Sequence, residues 1–404
     1  MKILALTARL PWPLDTGAKI RSFHVLKILA QAHEMTVVSF ISNFEEYGHL
    51  SHLKKFGIDV VPVFNQSLDH RISFLDIVRG VLSPYPFSVP RYRTGMFEQT
   101  LRKQLADKQF DLLHCEHLHM AQYVPPSLAI LKTLDAHNVE SEIVKRWCEK
   151  ETNSIRKVAL HWHLARMKRY EKKNVRMFDL VMAVSDRDRD MLVEMGGRNN
   201  VEIIENGVDV AHYYCKTKSV SRDLVFVGSM DWQPNDDGIR FFVFQIFPLI
   251  LQRDKRIRLF VVGRKPSKAL IEAAQRNPNV IVTGAVEDVR PYIESASVAV
   301  VPLRVGGGTR LKVLEAFSMA KAVVSTSLGS EGIQYTHGED ILIAEDPLGF
   351  ADAVMRLLDD RELNNRIGTK ARALVEAQYS WTNIEKKVVA SLEKVLPSSR
   401  RKEL

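Results

Sequence analysis

SVAVVPLRVGGGTRLKVLEAFSMAKAVVST, residues Ser297 to Thr326, is the stretch whose reading decides the fold. An apolar, β-branched run at Val298–Val301 meets Pro302 and then three glycines, Gly306, Gly307 and Gly308. After Thr309, Leu311, Leu314 and Phe317 fall on one helical face, and a second apolar run closes the unit at Ala322–Ser325. This is strand–loop–helix–strand, with the glycines at the helix start. Backbone N–H groups there lack intrahelical partners and carry partial positive charge, so they favour an anion. Arg310 and Lys312 add two cations, and Glu315 lies one turn deeper. Glycines and cations together in one βαβ unit read as a phosphate cradle rather than as a tight turn with solvated side chains.

The same alternation runs in both directions from this unit. Upstream strands are expected at Ile3–Thr7, Met35–Phe40, Ile58–Phe64, Phe110–His114, Ile130–Leu134, Leu180–Val184 and Val201–Ile204. A second series follows at Leu224–Val227, Arg258–Val262, Val280–Val282, Val298–Val301, Ala322–Ser325 and Ile341–Ala344. Helical patterns separate them, which predicts α/β architecture with parallel sheets. Two doubly wound domains are expected, 1–205 and 206–380, joined near residues 205–220. A last helix and basic tail fill 381–404.

Bulk properties fit this division. A chain of 404 residues is long enough for two full cores, and 46% hydrophobic with 26% charged residues is a globular composition. The net charge of +9 suits anionic partners without choosing among nucleotides, lipid phosphates and nucleic acid. Cys115, Cys148 and Cys215 are too scattered for a disulfide framework and fit a reducing, cytoplasmic setting. The opening MKILALTARLPWP reads as a first strand, not a leader. The apolar run Phe241–Leu251 contains Gln245 and Pro248 and falls short of the roughly 20 residues of a membrane span. Membrane contact, if any, is peripheral.

Ligand groups in open α/β sheets collect at the carboxyl ends of strands. Gly17 sits at the first βα turn, either as helix entry or for close backbone approach to a ligand, with Lys19 and Arg21 nearby. His114, Glu116, His117 and His119 lie at another strand end. Alternation splits them between faces, and their spacing fits no standard zinc pattern, so no metal is assigned. Glu116, His117 and Arg21 are candidate acceptor contacts. His137 is open between a loop histidine held by Asp135 and a catalytic group. Glu315 is open between an i,i+3 ion pair with Lys312, about 0.2–0.5 kcal/mol, and an acceptor for vicinal hydroxyls. The basic helical stretch 143–176 is open between a solvated scaffold and an anionic membrane contact.

Several of these pieces resemble the family-four retaining glycosyltransferases of GT-B architecture, above all bacterial sugar transferases of exopolysaccharide synthesis. The C-terminal matches are Glu205-Asn206-Gly207-Val208-Asp209, LVFVGSM at Leu224–Met230, TGAVEDV at Thr283–Val289, the opening stretch, and YSW at Tyr379–Trp381. DAHNVES, FDLVMAVS and the Pro/Gly loop at 11–17 match more loosely. The resemblance implies two facing Rossmann-like domains, with the C-terminal helix crossing back. It implies a nucleotide-diphosphate sugar, UDP or GDP, on the second domain and a glycan or lipid-linked glycan acceptor on the first. Cofactor and metal are then unnecessary, since protein cations neutralise the leaving diphosphate.

Carried over residue by residue, it assigns Arg310 and Lys312 to the diphosphate and Glu315 to the ribose. Gly17, Gly228, Ser229, Gly306, Gly307, Gly308 and Thr309 contact the donor, with the backbone near Val286 at the base. His137 contacts the donor sugar as a neutral imidazole donating to a hydroxyl or stabilising an oxocarbenium-like state. Two departures stand out. The first of two family glutamates is Gly307 here, and the arginine usual after Gly228 is replaced by Ser229 and Met230, with Arg310 as the expected substitute. The alternative function is a degenerate GT-B chain that binds nucleic acid or a membrane surface through its basic charge; for the transferase itself no nucleic acid is expected.

Overall fold

The computed structural model describes residues 1–68, 85–196, 200–215 and 221–396. The chain divides into two compact units, Met1–Glu205 with the C-terminal residues from Glu385, and Asn206–Ile384.

The described strands of the first unit are β1 (Lys2–Thr7), β2 (Glu34–Ile41), β3 (Ile58–Phe64), β4 (Leu112–Glu116), β5 (Leu131–Ala136), β6 (Leu180–Ala183) and β7 (Val201–Ile203). They pair in parallel in the order β3-β2-β1-β4-β5-β6-β7, with Ile3 opposite both Met35 and Leu112. Ile3, Leu4, Val37, Val38, Leu112 and Leu113 are all fully buried. Unbroken apolar runs of this kind are what a sheet covered on both faces requires. The chain reverses direction across the sheet between β1 and β4, which sets a ligand crevice at their carboxyl ends. The loop after β1 enters the helix Gly17–Ala32, whose N-cap hydroxyl on Thr16 accepts from the Lys19 N–H.

The second unit repeats the design with β8 (Leu224–Val227), β9 (Leu259–Val262), β10 (Val280–Gly284), β11 (Val298–Val301), β12 (Ala322–Ser325) and β13 (Leu342–Ile343). Their order is β10-β9-β8-β11-β12-β13, again parallel. Here the reversal falls between β8 and β11. Gly228 follows the first of these strands and the triple-glycine loop the second, so the stretch that decided the fold opens onto the switch point.

Two expectations shift. Strands anticipated at Phe110–His114 and Ile130–Leu134 end two residues later, at Glu116 and Ala136. Polar residues normally end a buried strand, but here His114, Glu116, Thr133 and Asp135 satisfy one another or nearby cations and remain in the sheet. The last helix, Trp381–Val395, starts in the second unit and belongs to the first from Glu385 onward. There Lys387 Nζ lies 2.6 Å from Glu205 Oε1 and Lys394 Nζ 2.8 Å from Glu202 Oε1. The expected tail Ser398–Leu404, and residues 216–220 of the expected join, lie outside the described residues. Among the described residues, no helix is long and apolar enough to cross a membrane.

Candidate functional site

The crevice of the first unit is built around buried charge. Arg21, 1% exposed on the first helix, points its guanidinium at Asp135 at the end of β5. Nε and a terminal nitrogen reach the carboxylate at 2.6–3.0 Å, and the other terminal nitrogen donates to the Glu205 carbonyl at 3.1 Å. Such a two-pronged pair fixes geometry as well as charge. Glu116, fully buried at the end of β4, accepts from Ser22 Oγ at 2.6 Å, and both His114 Nε2, at 3.0 Å, and His137 Nε2, at 2.8 Å, bond to it. His114 is held from behind by Thr133 Oγ1 at 2.8 Å.

Two buried carboxylates thus meet two cationic groups, Arg21 and His137. Burial disfavours a charged His137 ring, but Asp135 and Glu116 outweigh it and lift its pKa to about 9. Burial likewise opposes ionised Glu116 and Asp135. His114 and His137 hold the Glu116 carboxyl well below its usual range, and Arg21 and His137 lower that of Asp135. His137 is therefore an imidazolium at neutral pH, not the neutral ring anticipated, because the carboxylates need a counter-charge. His117 stacks on it with ring centroids 3.6 Å apart and stays neutral, its pKa pushed down by burial and by the neighbouring positive ring. The His117 backbone is left-handed, with φ of 67°, while its N–H donates to the Asp135 carbonyl. That conformation is uncommon for a non-glycine residue and persists only where surroundings enforce it.

Just beyond, the helix Glu140–Lys150 begins at the fully buried carboxylate of Glu171, which accepts from the N–H groups of Glu140 at 2.8 Å and Ser141 at 3.2 Å. Burial raises both the Glu171 and Glu140 carboxyls to about 7.

The second unit presents a different balance. Lys312, on the helix Leu311–Ser318, reaches back to the end of β8. Its amine donates to Asn235 Oδ1 at 2.6 Å and lies 4.3 Å from the Phe226 ring centroid. A Cβ on Gly228 would sit only 2.6 Å from that nitrogen, which is why a glycine stands there. Burial and then the charge of Arg310 lower the Lys312 pKa from 10.5 to about 7. Gly306 and Gly308 take φ of 110° and 79°, conformations that glycine alone adopts without strain. Arg310 closes this loop from within, donating to the Gly307 carbonyl at 2.7 Å and the Leu328 carbonyl at 3.2 Å. Glu315 accepts from the Tyr213 hydroxyl at 3.1 Å, and burial raises its carboxyl.

The structure brings Gly228, Ser229, the glycine loop, Arg310 and Lys312 to the switch point of the second sheet, with Thr309 in the loop and Glu315 one turn further along the helix. Val286, reached by the loop after β10, packs its side chain against the core. In the first unit His137, Glu116, His117 and Arg21 converge, while Gly17 opens the helix as an exposed residue. Three readings are corrected. Arg21 and Glu116 are not acceptor contacts: both are buried and engaged by Asp135, Ser22, His114 and His137, so they brace the site. Arg310, 3% exposed, holds loop carbonyls instead of replacing the charge missing after Gly228. Arg264, just past the end of β9, donates from Nε to Ser229 Oγ at 2.8 Å and lies 3.5 Å from the Asp231 carboxylate.

Asn235, Tyr213, Glu171 and Arg264 were missed. Each acts across the sheet or from another helix, so no local spacing marks it. Ligand atoms of Glu116, Asp135 and His137 lie within 4.8 Å of one another, close enough for a metal. Their oxygens already accept from Arg21, Ser22 and His137, and an ion would have to displace the Arg21 guanidinium at 2.6 Å. The donor set fits an ion-pair network better than a metal site.

Two parallel α/β units, each with a crevice at its switch point, have the architecture of GT-B glycosyltransferases, and solved structures of that class match nearly the whole chain. Sucrose-phosphate synthase from Thermosynechococcus elongatus matches with a TM-score of 0.73 at 16% identity, covering 98% of this chain and 99% of its own. Anabaena Alr3699/HepE in complex with UDP matches at 0.70 and 16%, covering 98% and 100%, and the same protein is also known with UDP-glucose. Residues 24–212 match the family described as Glycosyltransferase Family 4, and 221–360 that described as Glycosyl transferases group 1. The chain belongs to these glycosyltransferases. Along its whole length it is 23% identical to an uncharacterized 44.6 kDa protein in the cps region of Klebsiella pneumoniae, covering 97% of this chain and 99% of that one.

Proposed function

We propose that this glycosyltransferase moves a sugar from a nucleoside-diphosphate donor to a hydroxyl of a glycan or lipid-linked glycan, with retention and without a bound metal, in cytoplasmic synthesis of a surface polysaccharide. The observation that carries the reading is the Lys312 amine lodged against Gly228 at the switch point, beside Arg310 and the glycine loop. The complexes of the Anabaena protein with UDP and UDP-glucose favour uridine as the base. The cps-region relative favours a capsule-type product.

In this reading the diphosphate lies against Lys312 and the start of its helix, and Glu315 accepts from ribose hydroxyls. As the bond from the sugar C1 to the phosphate oxygen breaks, negative charge grows on that phosphate and the Lys312 ammonium stabilises it. The acceptor oxygen bonds to C1 on the face the phosphate leaves, and the acceptor proton passes to the departing phosphate oxygen. His137, already protonated, cannot take that proton. It donates a hydrogen bond to a sugar hydroxyl, held in place by Glu116.

The test is a thermal-shift panel of UDP, GDP, ADP and CMP, followed by donor hydrolysis with and without EDTA. UDP at about 100 times its Kd adds about 2.7 kcal/mol of stability, while the other nucleotides add little. No shift with any nucleotide, or turnover abolished by EDTA and restored by a divalent ion, refutes the reading.

A further inference from the structure

The helix Ser154–Val175 carries a surface that neither crevice uses. Its inner face is settled by burial: Met167, Tyr170, Glu171, Asn174 and Val175 pack into the first unit. On the opposite face Ile155 is 82% exposed, Val158 71% and Trp162 45%. Spacings of three and four place these residues on one stripe, spanning roughly 10 Å at 1.5 Å per residue. The same stripe continues through Arg166, Arg169 and Lys173, so one line of the helix is apolar at its start and cationic at its end. The Arg166 guanidinium lies 4.0 Å from the Trp162 ring, where the two halves meet. Lys168 and Lys172 are exposed on one flank, and the helix's single acidic residue, Glu171, faces inward to cap its neighbour.

We propose that this face docks the protein onto an anionic bilayer, with Ile155, Val158 and Trp162 entering the headgroup region and the cationic half lying on lipid phosphates. Exposed aliphatic side chains have no use against a nucleic-acid backbone, which is bound through cations. Protein interfaces are depleted in lysine, whereas lysines and arginines beside a membrane are each attracted by its surface charge. Tryptophan at the junction of apolar and cationic halves matches the preference of indole for the membrane boundary. No exposed carboxylate on this helix opposes the field.

The test uses the full-length protein and sedimentation with vesicles of phosphatidylcholine alone or mixed with phosphatidylglycerol. Wild type should sediment with the mixed vesicles, weakly with phosphatidylcholine, and less as salt rises. The double variant Ile155→Gln, Val158→Gln should bind mixed vesicles at least tenfold more weakly, with unchanged melting temperature and unchanged UDP binding. Lys168→Gln with Lys172→Gln should weaken binding about fivefold per charge removed and flatten the salt dependence. Vesicle binding equal to wild type in the apolar variant overturns the proposal. So does failure of wild type to sediment with anionic vesicles, which would leave the stripe to a protein partner.

Discussion

Lys312 gives the deepest test of the proposed phosphate site. Burial and Arg310 bring its amine to a pKa of about 7, so half of the free protein carries the charge at pH 7 and roughly one molecule in a hundred at pH 9. A bound diphosphate supplies the missing counter-charge, raises the pKa and draws the proton on. UDP affinity should then weaken about tenfold for each pH unit above roughly 7.5, or about 1.4 kcal/mol per unit. The ligand does not produce this slope, because a terminal phosphate with a second pKa near 6 is already ionised there. Titration calorimetry at pH 6.5 to 9, in two buffers of different ionisation enthalpy, measures both the slope and a proton uptake approaching one near pH 8. Lys312→Arg keeps a permanent charge and should flatten the profile. Without ligand the lowered pKa means that the unfolded chain holds more protons between about 7 and 10.5. Its contribution therefore makes the apo protein more stable as pH rises through that window, and saturating UDP removes the gain. A wild-type profile that is flat, or a slope that survives in Lys312→Arg, refutes the argument.

The remaining predictions concern geometry around the two crevices. Glu116→Gln should lower the His137 titration, followed by proton NMR, below about 9, with Asp135 still holding part of the shift, and cut turnover about a hundredfold; an unmoved titration would mean Glu116 does not hold the charge. The raised His137 pKa adds stability that is complete below pH 6.5 and lost as pH rises through about 9, at most about 3 kcal/mol, read as the wild-type minus His137→Ala difference across that window. Gly228→Ala puts a methyl 2.6 Å from the Lys312 amine, the mobile end of a long side chain, so the fold should survive while UDP affinity falls tenfold or more. Glu171→Ala strips the buried start of the helix Glu140–Lys150 of its acceptor and should cost about 1–3 kcal/mol in urea unfolding, with Glu171→Gln recovering only part, since its amide keeps one acceptor oxygen and turns an NH2 donor toward the other N–H.

The second unit was the more legible half. Gly306–Gly308, Arg310 and Lys312 are neighbours in sequence, and a strand–glycine–helix unit announces an anion site because helix starts leave N–H groups unpaired. The first unit hides its chemistry. Arg21 and Asp135 are separated by 114 positions and Ser22 and Glu116 by 94, so only the sheet order makes them partners. Strand ends at His114 and Leu134 were misplaced because polar residues read as loop when their partners are invisible. The charge of His137 is hidden for the same reason: the sequence shows Asp135 two residues away but not that both it and Glu116 are buried against the ring, where together they raise its pKa. Arg264 escaped because its role depends on β9 lying beside β8, which places its guanidinium on Ser229.

The two crevices differ in how their charge is balanced before any ligand arrives. In the first unit Arg21 answers Asp135 and His137 answers Glu116, so each buried carboxylate faces a cation. Removing one member would strand a buried charge at about 3–5 kcal/mol, which makes the cluster rigid. In the second unit Lys312 donates to a neutral amide, repels Arg310 and gains only partial relief from Glu315, whose own carboxyl is pushed toward its neutral form. That site is left short of negative charge, and an anion relieves it. A leaving group that gains charge during the reaction relieves it further, so the attraction is greater for the transition state than for the bound donor. In the proposed reaction the imbalance at Lys312 therefore favours the chemical step as well as binding.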